Sequence, residues 1–430
     1  MHIVLDVSRL LSCVHRKSPT GIDRVEMAYA RRWLSGPEQD VTFTAQSLWG
    51  WFAALPRDRV AALLDALEEV WEHGAPPGRG LRRAQRIALG LQAGLARGGG
   101  RASLQRRLRS VRNPVFLLVS HRSLDRQGPI GELRRAGARF VPLIHDLIPL
   151  THPEYTRPRQ AARHAARIAN TAALADGVIV NSAATEAALR AHLAPHGRPA
   201  PPIAIAPLGI RPLRRPAALL PTEPYFLCLG TVEPRKNHQL LLHLWRDLAM
   251  EGRTSPRLLL CGRRGWENGS VLSLLDRCEA LRGLVQEIGT PPDSQVTELL
   301  AGARALLFPS FTEGYGLPLA EALALGVPAI CSDLPALREV GGNVPDYLDP
   351  LDGLGWRRAI LDYAGPDSAA RAAQLARLRH WHAPDWEAHF AEVDALLAEV
   401  TGKPVREPRP ALAPIATRHS QPAPVGAMPA

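Results

Sequence analysis

Three groups of polar side chains have the types and spacing for chemistry on a phosphorylated substrate. Arg235 and Lys236 are adjacent in Gly230-Thr231-Val232-Glu233-Pro234-Arg235-Lys236-Asn237, between an apolar run over 225–229 and a helical stretch over 238–248. A guanidinium offers a bidentate fork and an ammonium a point charge. Cations held in advance at a strand end stabilise the negative charge developing on a departing diphosphate more than they stabilise its ground state. Glu313 and Glu321 stand eight positions apart, one in a glycine-bearing loop and one in a helix. His121 and His145 each follow an apolar run, and Asp146 is placed to orient the His145 imidazole.

The elements that must position these groups can be read from the same stretches. Residues 305–309 form a short apolar strand ended by a proline, 310–317 a polar turn, and 327–332 a second strand. Between them Pro318 stands where a helix starts and Gly326 where it stops. Gly314 and Gly316 leave the loop free of Cβ atoms, so backbone N–H groups can approach a ligand at the helix N-terminus. The strands over 115–120 and 140–144 end in His121 and His145, and ligands of open α/β sheets bind beyond the carboxyl ends of strands. A strand over 3–7 is followed by a loop to Arg24 and a helix over 25–34, with no G-x-G-x-x-G, which argues against a dinucleotide. Asn237 and either Asp293 or Ser294 are placed to cap helices.

The unit from Glu313 to Glu321, with Gly-Tyr-Gly-Leu-Pro between, resembles the E-x7-E signature of retaining nucleotide-sugar glycosyltransferases of glycosyltransferase family 4. That resemblance implies an α/β GT-B fold, with two Rossmann-like domains facing a central cleft and a C-terminal helix crossing back. By position it places Glu313 near the transferred sugar and Glu321 on the ribose hydroxyls, with Gly316 and Leu317 also on the donor. Gly-Thr-x-Glu-Pro-Arg-Lys-Asn resembles the family's phosphate loop, which assigns Arg235 and Lys236 to the diphosphate. His145 best matches a family histidine that contacts the transferred sugar, and Thr290 lies in the loop set against the nucleobase. The loop with Gly21 falls on the acceptor side, with Asp146 and His121. Thr20-Gly21-Ile22-Asp23-Arg24-Val25 resembles a bacterial subgroup that includes mannosyltransferases of polysaccharide and O-antigen assembly. A glycan or lipid-linked acceptor and GDP-mannose as donor follow from that likeness, with other GDP- or UDP-sugars next. The family is generally thought to react on one face of the sugar, the departing diphosphate taking the acceptor's proton. No cofactor is implied, and no D-x-D metal motif is evident at the donor loop, so the reaction is expected to need no metal.

The 430 residues suffice for two or three domains. The division expected is an acceptor-side domain over 1–205, a linker over 206–224, a nucleotide-sugar-binding domain over 225–385, a cross-back helix over 386–402 and a disordered tail over 403–430. Nine prolines in 194–224 mark the hinge, and a proline- and alanine-rich composition without a core pattern marks the tail. The five cysteines, scattered and never spaced C-x-x-C, read as reduced core residues. Met1 leads straight into an apolar strand, without a basic leader, and no apolar run approaches ~18 residues. A cytoplasmic protein is expected.

Net charge is +11 and almost all of the cations are arginines. Ten arginines lie in 79–112, and no acidic residue occurs between Glu72 and Asp125. Leu81, Ala84, Ala88, Leu91 and Leu95 recur at helical spacing with Arg82, Arg83 and Arg86 off that stripe. Two readings follow. The helix rests peripherally on the anionic inner membrane, or it faces the core and leaves a solvated arginine face. A nucleic-acid-binding protein is disfavoured, because this segment has no aromatic residue on which bases could stack. A relative of the same fold with another reaction on a nucleotide-sugar, such as epimerisation, would differ in its sugar pocket.

Overall fold

The structure is a computed structural model describing residues 1–74, 79–194, 200–211, 213, 223–252 and 255–402. The tail 403–430 and part of the connector 206–224 lie outside the described residues. Two sheets carry the chain. The first comprises β1 (His2–Asp6), β2 (Val41–Gln46), β3 (Phe52–Ala54), β4 (Pro114–Leu118), β5 (Arg139–Ile144), β6 (Val178–Val180) and β7 (Ile203–Ile205), in the order β3-β2-β1-β4-β5-β6-β7. The second comprises β8 (Tyr225–Leu229), β9 (Arg257–Cys261), β10 (Val285–Gly289), β11 (Ala305–Phe308), β12 (Ala329–Ser332) and β13 (Asp346–Leu348), in the order β10-β9-β8-β11-β12-β13. Among the described residues only the β2–β3 pair, at the edge of the first sheet, is antiparallel. Helices cover both sheets, as parallel strands require. The architecture is α/β of the GT-B type.

Strands covered on both faces are mostly apolar, and β1, β4 and β5 are entirely buried, with polar residues only at the ends of β1 and β5. Phe116 of β4 sits between Phe52 and Phe140 at ring-centroid distances of 4.9 and 5.7 Å. In the second half Trp245 packs on Phe226 and donates its indole N–H to the Pro256 carbonyl at 2.6 Å. The C-terminal helix Trp386–Gly402 returns to the first sheet. A Cβ on Gly177, just before β6, would come within 2.8 Å of Val400. His389 of that helix, buried, lies 2.8 Å from the Tyr29 hydroxyl and faces the Ala206 and Pro207 carbonyls.

Several elements differ from the sequence reading. The loop placed over 8–24 contains the helix Ser8–Cys13, and the following helix starts at Gly21 rather than Val25. The reason is a capping box: Thr20 accepts from the Asp23 N–H and Asp23 accepts from the Thr20 N–H. Asn237 does not cap with its side chain; it is left-handed at φ 54° and donates to the Pro350 carbonyl. Pro292, not Asp293 or Ser294, is the N-cap of the helix Asp293–Ala301. Strands β2, β3 and β13 and the helices Ser8–Cys13, Gly353–Ala364 and Ala369–Leu378 are absent from the sequence reading.

The arginine-rich stretch forms two helices, Arg79–Ala96 and Arg101–Ser110. Ala84, Ala88, Leu91 and Leu95 are buried in the core against the helix Arg57–His73. That apolar stripe is therefore occupied by the protein itself and is not free to enter a bilayer, while Arg82, Arg83 and Arg86 are exposed. All five cysteines are free, and Cys13, Cys228, Cys261 and Cys331 are buried. Among the described residues no helix is long and apolar enough to cross a membrane.

Removing the Phe116 ring leaves a void between two rings that cannot both collapse into it. Phe116→Ala is expected to destabilise by about 3–5 kcal/mol, read as a lower denaturant midpoint in chemical unfolding followed by circular dichroism.

Candidate active site

Between the carboxyl ends of the two sheets lies a cleft of about 730 Å³. From the first half it is lined by Gly21, Arg24, His145 and Asp146; from the second, by Arg235, Lys236, Thr290, Glu313, Gly316, Leu317 and Glu321. The structure thus brings ten of the eleven singled-out residues to one cavity. His121 is the exception. It lies behind His145, buried, where its Nε2 accepts the His145 backbone N–H at 3.2 Å.

The floor of the cleft is a cluster of four charges. A single turn, Pro234–Lys236, follows β8 and brings both cations inward. Lys236 Nζ lies 2.5 Å from Glu313 Oε1, and Arg235 Nη1 lies 2.8 Å from Glu313 Oε2. Arg235 Nε reaches Glu233 at 2.6 Å, and its Nη1 donates to the Thr312 carbonyl at 3.1 Å. The Lys236 ammonium also sits 4.5 Å from the centre of the Phe308 ring. The structure places Glu313, which the resemblance sets near the transferred sugar, directly against the two cations, so two cations face two carboxylates.

Burial by itself raises the Glu313 carboxyl, but Arg235 and Lys236 outweigh it and hold the group down at about 2. Burial lowers the Lys236 ammonium, and Glu313 offsets this in part. Glu321 has no ion-pair partner among the described residues. Burial pushes its carboxyl up, against the pull of Arg24 and Arg211.

The loop carrying Glu313 is held from the opposite half. A Cβ on Gly314 would stand 2.4 Å from the His145 carbonyl oxygen, so only glycine allows this approach. Ser182 Oγ donates to the Gly314 carbonyl at 2.9 Å, and Asn181 donates to the His145 carbonyl at 3.0 Å. Gly316, at φ 121°, then turns the chain into the helix Leu317–Ala324 at the cavity wall. His145 donates through Nε2 to the Val119 carbonyl at 2.8 Å, which leaves Nδ1 as its lone-pair nitrogen. Burial pushes its imidazole down to about 4, so the ring is neutral near pH 7. Asp146 does not orient that ring; its Oδ1 accepts the Ile148 N–H at 3.1 Å, and the Val119 carbonyl fixes the imidazole instead.

Sequence reasoning missed the straps that close the far end. Arg24 forms a two-pronged ion pair with Asp293, both contacts 2.6 Å, joining the helix Gly21–Leu34 to the start of Asp293–Ala301. Arg211 adds bonds to Glu72 at 2.5 Å, the Asp293 carbonyl at 2.9 Å and Thr297 Oγ1 at 2.8 Å. Arg24 was visible as the last charge of Thr-Gly-Ile-Asp-Arg, but nothing local points to a partner so far along the chain.

Comparison with known proteins gives this geometry a context. Residues 210–343 match the family model described as "Glycosyl transferases group 1". The chain is similar to O-antigen chain mannosyltransferase B of Escherichia coli, 37% identical over 182 residues that cover 40% of this chain and 48% of that one. It is similar also to O-antigen chain mannosyltransferase RfbU of Salmonella typhimurium, 31% identical over 153 residues, 35% of this chain and 41% of that one. The matched segments thus span less than half the length of these relatives. Among solved structures, Anabaena HepE in complex with UDP superposes with a TM-score of 0.61 at 14% identity, over 93% of this chain and 100% of that one. Sucrose-phosphate synthase from Thermosynechococcus elongatus gives 0.61 at 18% identity, over 94% and 99%. At such identities the superpositions define the fold: GT-B, shared with these proteins.

The depressed Glu313 group ties stability to pH. A carboxyl whose folded value lies near 2 contributes fully above its ordinary 4.5 and loses that contribution as pH falls from 4.5 towards 2. Glu313→Gln leaves two buried cations short of charge and is expected to lose about 3–5 kcal/mol at pH 7. Between pH 5 and pH 3 the variant should lose stability less steeply than the parent, as measured by denaturant unfolding at each pH. Equal slopes would contradict the assignment.

Proposed function

We propose that this chain is a retaining glycosyltransferase of the family 4 type that moves mannose from GDP-mannose onto a glycan or lipid-linked acceptor in cell-surface polysaccharide synthesis. In this reading the acceptor sits on the domain 1–205, the donor on the domain 225–385, and the reaction runs on the cytoplasmic side. The observation that carries the reading is the buried Arg235–Lys236–Glu313 cluster at the floor of a cleft between two parallel sheets. The E. coli and Salmonella relatives, both named as mannosyltransferases of the O-antigen chain, support the sugar and the pathway. The HepE structure, solved with UDP, supports a nucleotide in such a cleft.

The roles proposed are those the family resemblance implies, and the meeting of these residues in one cavity supports them. Arg235 and Lys236 take the two phosphates, and Glu313, already bound to both, holds them in place while bordering the sugar. As the bond from the anomeric carbon to the phosphate oxygen breaks, charge builds on the diphosphate next to cations that need no reorganisation. The acceptor hydroxyl attacks on the same face, and its proton passes to a diphosphate oxygen. Glu321, unpaired in the cavity, accepts from the ribose hydroxyls, with Gly316 and Leu317 at the helix start beside it and Thr290 towards the base. His145 borders the sugar with its free Nδ1; His121 positions it from behind. Gly21 and Asp146 border the acceptor. The two cations supply the electrostatic stabilisation in this scheme, so transfer proceeds without a metal and without a cofactor.

A panel of GDP- and UDP-sugars tests the reading by thermal shift and by slow donor hydrolysis. GDP-mannose is expected to raise the melting temperature most and to be hydrolysed. Lys236→Ala and Glu321→Ala are each expected to lower transfer or hydrolysis, the first by about 100- to 1000-fold in kcat, the second mainly through a raised KM. If no sugar nucleotide shifts the melting temperature, the reading fails. Interconversion of the free donor without transfer would instead identify an epimerase.

A further inference from the structure

One exposed face of the first half lies outside the cleft and has a composition of its own. Leu48, Trp49 and Leu89 are 86%, 68% and 66% exposed. Leu48 and Trp49 form the tip of the turn joining β2 to β3 at the sheet edge. The Trp49 indole N–H reaches the carbonyl of Ala96, the last residue of the helix Arg79–Ala96, at 3.3 Å. Trp51 lies nearly parallel to Trp49, with planes 19° apart, and carries the Arg101 guanidinium over its own ring at 4.8 Å. The turn is therefore seated on the arginine-rich helices.

The helix Arg79–Ala96 brings the rest of the face into line. At about 100° per residue, positions seven apart return to within roughly 20° of one another. Arg82, Leu89 and Ala96 thus follow one line that ends at Trp49, with Arg86 beside it. The opposite side carries Ala84, Ala88, Leu91 and Leu95 into the core. The carboxylates bordering this face are already matched: Glu69 lies 3.6 Å from Arg83, and Glu132 lies 3.3 Å from Arg101. Arg82, Arg86 and Arg97 are exposed, and the chain between Glu72 and Asp125 holds no acid to oppose them.

Apolar side chains of this size, set among uncompensated guanidinium groups and including an indole, match a surface that is apolar just beneath a layer of anions. A glycan would need amide or carboxylate partners for its hydroxyls, and the one amide at this turn, Gln46, is spent on the Gly50 carbonyl and the Ser123 hydroxyl. A nucleic acid would meet the arginines but would leave Leu48 and Leu89 with no apolar partner.

We propose that Leu48, Trp49 and Leu89, together with Arg82, Arg86 and Arg97, dock this chain on an anionic lipid bilayer. The three apolar side chains enter the headgroup layer and the guanidinium groups meet the lipid phosphates. Attachment through this face is reversible and salt-sensitive, because exposed cations are screened. It uses the outer face of the helix, opposite the stripe that packs in the core.

The test is flotation of the full chain with vesicles of phosphatidylglycerol and phosphatidylcholine in equal parts, against vesicles of phosphatidylcholine alone. No donor or acceptor is present, so the outcome is independent of the transfer reading. Binding to the anionic vesicles only, weakened by added salt, is expected. Arg82→Glu with Arg86→Glu should weaken it on the order of 30-fold or more, and Leu48→Ser with Trp49→Ser on the order of 10-fold. Both pairs are exposed and lie outside the cleft, so the melting temperature and circular dichroism of each variant should match the parent's and serve as the check on folding. Absence of binding to anionic vesicles would overturn the proposal. So would binding that neither pair alters, or a Trp49 effect seen on soluble mannan and not on vesicles.

Discussion

A carboxylate held between two cations, with the Lys236 ammonium buried and the Arg235 guanidinium half-buried, is the constraint on which the rest of this structure depends. Glu313 is the only carboxylate among the described residues that pairs with both Arg235 and Lys236, and Glu233 completes the balance from the other side of Arg235. In a low-dielectric site, either cation without such a partner would carry a desolvation penalty of several kcal/mol. With the partner in place, the ammonium and the guanidinium stay charged and fixed, where a mobile surface arginine would have to be ordered by the ligand. The turn Pro234–Lys236 and the loop before the helix Leu317–Ala324 are therefore locked to each other by charge as much as by packing.

That lock extends across the cleft. Gly314, next to Glu313, rests on the His145 carbonyl, and Ser182 and Asn181 fasten the same two peptides. At the far end the Arg24–Asp293 pair and the bonds of Arg211 join the halves a second time. Along the back, the C-terminal helix is tied to the first sheet through His389 and Tyr29. The cavity is thus framed by contacts that belong to neither half alone. A change at Asp293 acts on a wall of the cleft away from the four charges on its floor, whereas one at Gly314 also moves the loop that carries Glu313.

Charge is distributed by the same logic. Several arginines that enter the cleft or its rim are matched: Arg9 and Arg16 to Asp23, Arg24 to Asp293, Arg235 to two glutamates. Much of the excess that gives the chain its +11 stands on the outer helices of the first half, where water solvates it. Net charge therefore describes an outer surface and carries little information about the cleft.

The sequence by itself determined many of the parallel strands, though not β2 or β13, and the identity of the polar groups beyond them. These features are local: an apolar run of about five residues followed by proline or glycine leaves few alternatives. It also singled out Arg235, Lys236, Glu313 and Glu321, which the structure brings to one cavity, because two adjacent cations and a glycine loop between glutamates stand out locally. Only the tertiary structure decided which charges touch. Glu313 pairs with both cations, Asp146 turns to its own backbone, His121 lies behind His145, and Asp293 meets Arg24 instead of capping a helix. Each of these outcomes depends on segments tens to hundreds of residues apart meeting at a few ångströms. An ion pair or hydrogen bond is settled by that distance and by the burial around it, neither of which a linear pattern contains.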